Sequence, residues 1–277
     1  MKTYDENLSF KIASPRMDST FIQWLMSQDI FPTSMISSVY YPCWKGDYTT
    51  ARSWENPGID TYEKYVDLLQ LTKRAGIEPE VLMQGLTPVD EKIIRRYLDL
   101  GIRKFTISND ETATMIKEID PDVFISASIV KALSPEEIAN NDYSMYDEIC
   151  LFFYYTLNLS AVKELPSKYQ YSMCMNSGCL PFCKYCVNHW ISDEMYDCFY
   201  RGGYGLDEDK WNITVGYKEY EEYFAKYIKR LKVLDRLNSK EDLINTFTEF
   251  FANPCMRSES YFDRKMSFPN IYKKGAL

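Results

Sequence analysis

Short apolar segments alternate with amphipathic segments along most of the chain. The apolar segments are FKIAS (10–14), TSMISSVYY (33–41), PEVLMQG (79–85), KFTISN (104–109), DVFISASIV (122–130), EICLFFYY (148–155), YQYSMCMN (169–176) and RLKVLDR (230–236). Most of them are rich in β-branched and aromatic residues and lack strict alternation of apolar and polar positions. This pattern is typical of parallel strands that are buried on both faces.

The segments between these strands carry helix start and stop signals. TYEKYVDLLQLTKRAG predicts a helix from about Thr61 to Ala75 that ends at Gly76, and a second helix is predicted to begin at Thr87-Pro88 and end at Gly101. SPEEIAN has Ser134 as a cap followed by a proline at the first helical position, and a last helix is predicted at about 239–252. Strands that alternate with helices predict an α/β fold, a closed (β/α)₈ barrel of the TIM type, with an open doubly wound sheet as the alternative.

The length of 277 residues is about what one such barrel needs. We assign residues 1–252 to the barrel and residues 253–277 to a short C-terminal tail. Two long loops interrupt the rhythm, one at 43–58 after the second strand and one at 177–215 after the seventh. Both follow the carboxyl ends of strands, the face where barrel enzymes place their chemistry.

Composition narrows the class of protein. The net charge is −8 and the pI about 4.9, which disfavours direct nucleic-acid binding because that function usually shows a basic surplus. No segment approaches the roughly 18–20 apolar residues of a membrane span, and the N-terminus MKTYDENLSF lacks the apolar run of a signal peptide. We therefore expect a cytoplasmic protein without a membrane partner. In that compartment eight cysteines indicate metal or redox chemistry rather than a disulfide framework.

Four of the eight cysteines lie close together in the second long loop and just before it. Cys179, Cys183 and Cys186 have the spacing C-x₃-C-x₂-C, with Cys174 upstream and the only histidine, His189, downstream. Thiolates on a tight loop are the ligands that iron–sulfur clusters and zinc select. The spacing predicts a [4Fe–4S] cluster held by the three cysteines, with zinc bound by the same cysteines and His189 as the alternative. Candidates for the fourth cluster ligand are Cys43, Cys198, Cys174, His189 or a small molecule.

The cysteine spacing, with Tyr185 before the last cysteine, resembles the signature of the radical S-adenosylmethionine (SAM) superfamily. That resemblance implies a [4Fe–4S] cluster with SAM on its fourth iron. The motif stands after the seventh predicted strand here, whereas in that superfamily it usually follows the first.

A second resemblance covers more of the chain. The seventh strand leading into N-S-G-C (176–179), followed by the strand L-K-V-L-D-R (231–236) and a helix, is similar to the collagenase-like peptidase family. This similarity implies a barrel with a cysteine-bound cluster near the late strands. Members of that family are tied to protein degradation and to oxygen-independent hydroxylation. We follow this resemblance for the architecture.

Polar residues at predicted strand ends are the candidates for substrate binding. They are Arg52, Gln84, Asn109, Tyr155 and Arg236. Asn109 also has the position of a helix cap, and either arginine also suits a structural role. No catalytic residue is assigned. A single histidine and the lack of P-loop and HExxH patterns argue against a serine hydrolase, a P-loop nucleotidase and a zincin.

Together these features predict an iron–sulfur barrel enzyme that performs a redox modification, such as hydroxylation, of an organic, peptide or nucleic-acid substrate. Its expected partners are a small-molecule or peptide substrate and an electron donor protein. One alternative is a radical SAM enzyme that uses SAM as cofactor. The other is a non-catalytic interaction protein stabilised by zinc or a cluster.

Overall fold

The computed structural model describes most of the barrel and leaves specific segments out. The described residues are 7–14, 20–28, 33–48, 59–129, 131, 135–151, 155–156, 158–177, 213–233, 240–252, 254–255 and 258–259. The statements below concern these residues.

Eight parallel strands close into one barrel. They are β1 (Ser9–Ala13), β2 (Ile36–Pro42), β3 (Glu78–Met83), β4 (Lys104–Ile107), β5 (Phe124–Ala127), β6 (Glu148–Leu151), β7 (Tyr171–Cys174) and, after a small hairpin of β8 (Asn176–Ser177) and β9 (Ile213–Thr214), β10 (Arg230–Val233). The order around the barrel is β1-β10-β7-β6-β5-β4-β3-β2. Each of the eight predicted strand segments overlaps one barrel strand.

Closure distinguishes the barrel from the open sheet that the sequence left as an alternative. The first and last strands pair in parallel, from Ser9 opposite Arg230 to Ile12 opposite Val233. The (β/α)₈ prediction is confirmed, and the doubly wound alternative is wrong.

Each barrel strand is followed by a helix. The helices are α1 (Phe21–Met26), α2 (Tyr62–Arg74), α3 (Glu91–Asp99), α4 (Asp110–Ile119), α5 (Pro135–Asn140), α6 (Leu159–Lys163), α7 (Tyr217–Glu219, continued by a π-helical turn Tyr220–Phe224) and α8 (Lys240–Ala252), and a 3₁₀ turn (Thr33–Met35) precedes β2. None of the described helices is both long and apolar enough to span a bilayer.

The ends of α2 and α3 show which of the predicted start and stop signals agree with the structure. Gly76 and Gly101 follow the two helices at φ of +78° and +75°, a conformation that glycine adopts without steric cost. The Thr61 side chain caps α2 by accepting from the Lys64 backbone N–H, so the helix begins at Tyr62, one residue after the predicted start. The predicted start of α3 at Thr87-Pro88 is wrong because Asp90 caps the helix instead.

The last helix packs on the outside of the first strand. Phe10 points outward from β1 and meets Phe247 and Phe250 edge-on, with ring centroids 5.0 and 5.4 Å apart. Such pairs add about 0.5–1.5 kcal/mol each beyond their buried area. This contact joins the two ends of the described barrel, since α8 follows the closing strand β10.

A two-stranded hairpin stands at the carboxyl end of β7. In it β8 pairs antiparallel with β9, with Asn176 opposite Thr214 and Ser177 opposite Ile213. The Met175 backbone N–H donates to the Lys232 carbonyl at 2.9 Å, and the Val215 N–H donates to the Met175 carbonyl at 2.8 Å. The described residues on either side of the segment 178–212 therefore pair at the carboxyl face of the barrel.

Candidate functional site

The interior of the barrel is polar at its centre, although barrel interiors are commonly filled by branched apolar side chains. The strand register and the stagger of an eight-stranded barrel sort the inward residues into layers of four, contributed by alternate strands. We call the opening at the carboxyl ends of the strands the mouth. From the amino end toward the mouth, the successive layers are Ser38/Lys104/Glu148/Arg230, Lys11/Glu80/Ser126/Ser172, Tyr40/Thr106/Cys150/Lys232 and Ala13/Leu82/Ser128/Cys174. Above these lie Pro42 and Ser108, followed by Gln84.

Lys11 is the hub of the central layer. Its Nζ lies 3.0 Å from Glu80 Oε1 and 2.7 Å from Glu148 Oε1. The same ammonium donates to Ser126 Oγ at 2.6 Å. Glu148 is held on its other side by Arg230. All three donors of the Lys11 ammonium thus have buried acceptors, which is the condition under which a buried ion pair is tolerated.

The two carboxylates are held in the charged form. Burial alone would raise the pKa of Glu80, but Lys11 and Lys232, with hydrogen bonds from Ser38 and Thr106, lower it to about 2. Burial opposes ionisation of Glu148 as well, and Lys11 and Arg230 outweigh it, so its pKa is also lowered. The central layer is therefore a network of fixed charges at neutral pH.

The layer above the network holds a thiol and a second lysine. A hydrogen bond from Cys174 lowers the pKa of Cys150 to about 7 against the effect of burial, with help from Lys232 and Lys11. The Lys232 side chain is buried and its Nζ stands 4.5 Å from the centroid of the Tyr40 ring. This layer combines a nucleophilic atom and a cation directly below the mouth.

Three polar side chains at the ends of adjacent strands line one side of the mouth. The Gln84 Nε2 donates to Ser128 Oγ at 2.9 Å. Ser108 stands between them on β4, buried, and within the described structure its Oγ has no hydrogen-bond partner. A buried hydroxyl without a partner costs free energy, and a bound group that supplies an acceptor would remove that cost.

Of the five predicted binding residues, the structure describes Gln84, Asn109 and Tyr155, and these three have different surroundings. Gln84 faces the mouth. Tyr155 is buried in a 3₁₀ turn after β6, where the neighbouring Thr156 hydroxyl donates to the Cys174 carbonyl at 2.9 Å. Arg52 and Arg236 lie outside the described residues.

Asn109 is used locally, as a cap. Its Oδ1 accepts from the Thr112 backbone N–H at 2.9 Å, and its Nδ2 donates to the Leu86 carbonyl at 2.9 Å. The amide thus joins the start of α4 to the loop after β3. These contacts support the capping interpretation and give no support to substrate binding.

Replacing Asn109 with alanine is expected to lower the free energy of unfolding by about 1 kcal/mol, the usual cost of an N-cap. Asn109→Asp keeps the oxygen acceptor at the helix start and is expected to retain most of the stability. Urea unfolding of the two variants beside the parent chain measures both effects. An alanine variant of unchanged stability would contradict the capping role.

Two candidates for the fourth cluster ligand are described, and both thiols are buried. Cys43 follows β2 and lies among the side chains between the barrel and its helices, where its Sγ donates to the Tyr48 carbonyl at 3.1 Å. Burial and the Asp47 carboxylate raise its pKa to about 12. Cys174 points into the barrel toward Cys150. A protonated thiol is a poor metal ligand, so these contacts favour neither residue.

The three cluster cysteines lie outside the described residues, as do Cys198 and His189. Across the ranges that the structure describes, no three histidine, cysteine or acidic side chains form a group that could hold a metal ion. The segment 178–212 carries all of the predicted cluster motif, and the described residues on either side of it pair in the β8–β9 hairpin at the mouth.

Sequence reasoning did not identify the interior residues. Lys11, Glu80 and Lys232 each stand between two apolar residues of a strand. A charge flanked on both sides by buried apolar residues is the available signal, because it requires an interior partner.

Comparison with known proteins identifies structures that share the fold of this chain. No family model and no curated protein matches the chain. Among solved structures, the U32 peptidase Mk0906 is similar with a TM-score of 0.53 and 12% identity, over 84% of this chain and 94% of that one. Phosphoribosylanthranilate isomerase from Thermotoga maritima (TM-score 0.47, 10% identity, 88% and 98% covered) and tryptophan synthase from Mycobacterium tuberculosis (0.46, 8%, 88% and 91%) follow. At these identities the similarity shows that the chain shares the barrel fold and nothing more specific.

Proposed function

We propose that the chain is an iron–sulfur barrel enzyme, in which Cys179, Cys183 and Cys186 hold a [4Fe–4S] cluster and the polar mouth binds the substrate of a redox modification. The observation that carries this proposal is the β8–β9 hairpin, in which Ser177 and Ile213, the described residues on either side of the cysteine segment, pair at the carboxyl face of the barrel. Barrel enzymes place their chemistry on that face.

The donor set suits the cluster. Three thiolates within eight residues fit an iron–sulfur cluster or zinc, and the described contacts supply no further set of ligands that would compete for a metal. When bound, a cluster with three cysteine ligands would supply electron transfer and one iron open to a fourth ligand. The similarity to the U32 peptidase fold is consistent with the resemblance to the collagenase-like peptidase family.

The remaining roles belong to residues of the barrel. Gln84, Ser108 and Ser128 offer hydrogen bonds to a substrate that enters the mouth. The Lys11 network below them fixes the floor of the interior and excludes water from it, because its polar atoms already have partners. Arg52 and Arg236 remain predicted anchors for an anionic substrate.

The test is the metal content of the chain purified without oxygen. The expected result is a brown protein with about four iron and four sulfide ions per chain, whose visible absorption is bleached by a reductant. Stoichiometric zinc in a colourless protein would favour the interaction-protein alternative. Absence of both metals would contradict the proposal.

The same preparation separates the radical SAM alternative. The reduced protein is incubated with SAM, and 5′-deoxyadenosine is measured. We expect none above the level formed without protein, because the cysteine motif stands far later in this chain than in that superfamily. Formation of 5′-deoxyadenosine would replace the proposed reaction class with radical SAM chemistry.

A further inference from the structure

We infer that the upper barrel interior binds the carboxylate group of a small molecule between Lys232 on one wall and the hydroxyl groups of Ser108 and Ser128 on the other. This inference deepens the proposed function, on which it rests for the identity of the mouth as the substrate site. It names the chemical class of the substrate and needs no metal for the binding step.

Lys232 is a buried cation near Glu80, whose pKa it helps to lower, but the Glu80 carboxylate forms its salt bridge with Lys11. Lys232 is 3% exposed, and its Nζ lies over the face of the Tyr40 ring. Among the residues that the structure describes it forms no ion pair, whereas Lys11, one layer below, meets two carboxylates. A buried ammonium is costly unless it is paired, so this position favours binding of an anion.

The charged side chains inside the barrel indicate how much negative charge a ligand would have to carry. Lys11 and Arg230 balance Glu80 and Glu148, to which they are bound. Lys104 lies at the amino end, only partly buried, where its Nζ donates to the Ser37 carbonyl at 2.8 Å. Lys232 and the Cys150 thiol, whose pKa it helps to lower to about 7, are the ionisable groups of the next layer, so that layer carries at most one positive charge. One charge matches a carboxylate better than the dianionic form of a phosphate.

Two hydroxyl groups lie at the carboxyl ends of strands on the opposite wall of the barrel. β4 and β5, which carry Ser108 and Ser128, stand across the barrel from β10, which carries Lys232. The Oγ of Ser128 accepts from Gln84, which leaves its O–H to donate elsewhere, and Ser108 Oγ is buried without a partner among the described residues. Two O–H donors opposite an ammonium recognise an oxygen anion.

The wall between these groups is apolar. Ala13, Tyr40 and Leu82 form a separate buried cluster inside the barrel. It would contact the carbon skeleton of a ligand whose carboxylate reaches Lys232. A small carboxylic acid with a short apolar portion fits this arrangement of charge, hydroxyl groups and apolar surface.

Saturation-transfer NMR with acetate as the probe tests the inference on the full chain. Acetate is expected to bind the parent protein, and inorganic phosphate is expected not to displace it. Lys232→Met is expected to weaken acetate binding at least about tenfold, and Ser108→Ala several-fold, since each removes one hydrogen bond to a charged group. Ser37→Ala is the control, because its hydroxyl donates to the Phe10 carbonyl away from the mouth, and it should bind acetate as the parent does.

Stability distinguishes a binding role for Lys232 from a structural one. If Lys232 is an unpaired charge kept for a ligand, Lys232→Met should keep or raise the Tm. A lowered Tm with unchanged acetate affinity would show that Lys232 serves the network or the Cys150 thiol, and would overturn the inference. Lys232→Gln gives the same comparison should the methionine variant not fold.

Two further outcomes would also overturn it: no acetate binding to the parent chain, or displacement of acetate by phosphate at similar concentration. Metal content is measured on the same samples. Acetate binding by a protein that lacks metal would contradict the proposed cluster alone. A loaded cluster without acetate binding would contradict this inference alone.

Discussion

Replacing Lys11 with methionine is expected to lower the free energy of unfolding at neutral pH by about 3–5 kcal/mol, the usual cost of removing one partner from a buried ion pair. The substitution leaves Glu80 and Glu148 facing each other in the barrel without their shared cation. Arg230 still contacts Glu148, but Glu80 retains no ion pair among the described residues. Urea unfolding monitored by circular dichroism measures the loss.

A matched control lies two strands away from Glu148 on the same inner wall. Lys104 also points into the barrel, but its Nζ donates to a backbone carbonyl, and burial lowers its pKa, so the fold disfavours its charged form. Lys104→Met is therefore expected to change stability by no more than about 1 kcal/mol. Equal losses in the two variants would mean that the Lys11 network contributes nothing specific.

The same network predicts how the difference depends on pH. The pKa of Glu80 falls from 4.5 to about 2 on folding, so its stabilising effect is present above pH 4.5 and is lost as the pH falls toward 2. This effect amounts to roughly 3 kcal/mol, at about 1.4 kcal/mol for each pKa unit. Lys11 is the largest of the causes that lower this pKa, so the stabilities of the parent and Lys11→Met should approach each other as the pH falls from 4.5 toward 2. A constant difference across that range would contradict the assignment.

The strands could be predicted because each one is indicated by its own local sequence. FKIAS, KFTISN and DVFISASIV are each short and mostly apolar, and each overlaps a barrel strand. Their ends were less certain, because pairing with neighbours decides them. EICLFFYY was predicted as one strand, yet β6 ends at Leu151, and Tyr155 belongs to a 3₁₀ turn.

Tertiary contacts explain the error at the start of α3. Thr87-Pro88 has the form of a helix start, but the Val89 backbone N–H donates to the Thr112 hydroxyl at 2.9 Å, and the Thr87 carbonyl accepts from Tyr48. These bonds hold residues 87–89 to other parts of the barrel, and the helix begins after Asp90. The partners lie more than twenty residues away along the chain, so local pattern does not reveal them.

The charged interior escaped prediction for a similar reason. Lys11 and Glu80 are 69 residues apart, and each stands between two apolar residues of a strand. A charge between apolar residues indicates that the side chain needs an oppositely charged partner. The sequence does not identify that partner, because only closure of the barrel brings the strands opposite each other. The candidate site is divided in the same way. The cysteine motif can be recognised from local sequence, whereas the grouping of Lys232, Ser108 and Ser128 follows only from the topology of the barrel.

Replacing any one of Cys179, Cys183 and Cys186 with serine is expected to reduce bound iron from about four ions per chain to near zero. A serine hydroxyl is a harder and poorer ligand than a thiolate, and a cluster with three protein ligands has none to spare. Iron and sulfide analysis of the anaerobically purified variants measures the loss. Circular dichroism and the Tm of the same samples check that the barrel is intact.

Two described cysteines provide matched controls for that loss. Cys43 lies between the barrel and its helices with its pKa raised to about 12, and Cys150 lies inside the barrel against Cys174. Since neither thiol belongs to the cysteine segment, Cys43→Ser and Cys150→Ser should keep their full iron content even if burying a hydroxyl lowers the Tm. Full iron in a variant of Cys179, Cys183 or Cys186 would remove that residue from the site. Loss of iron in Cys43→Ser would instead identify the fourth ligand, and would require the Cys43 thiol to leave its contact with the Tyr48 carbonyl.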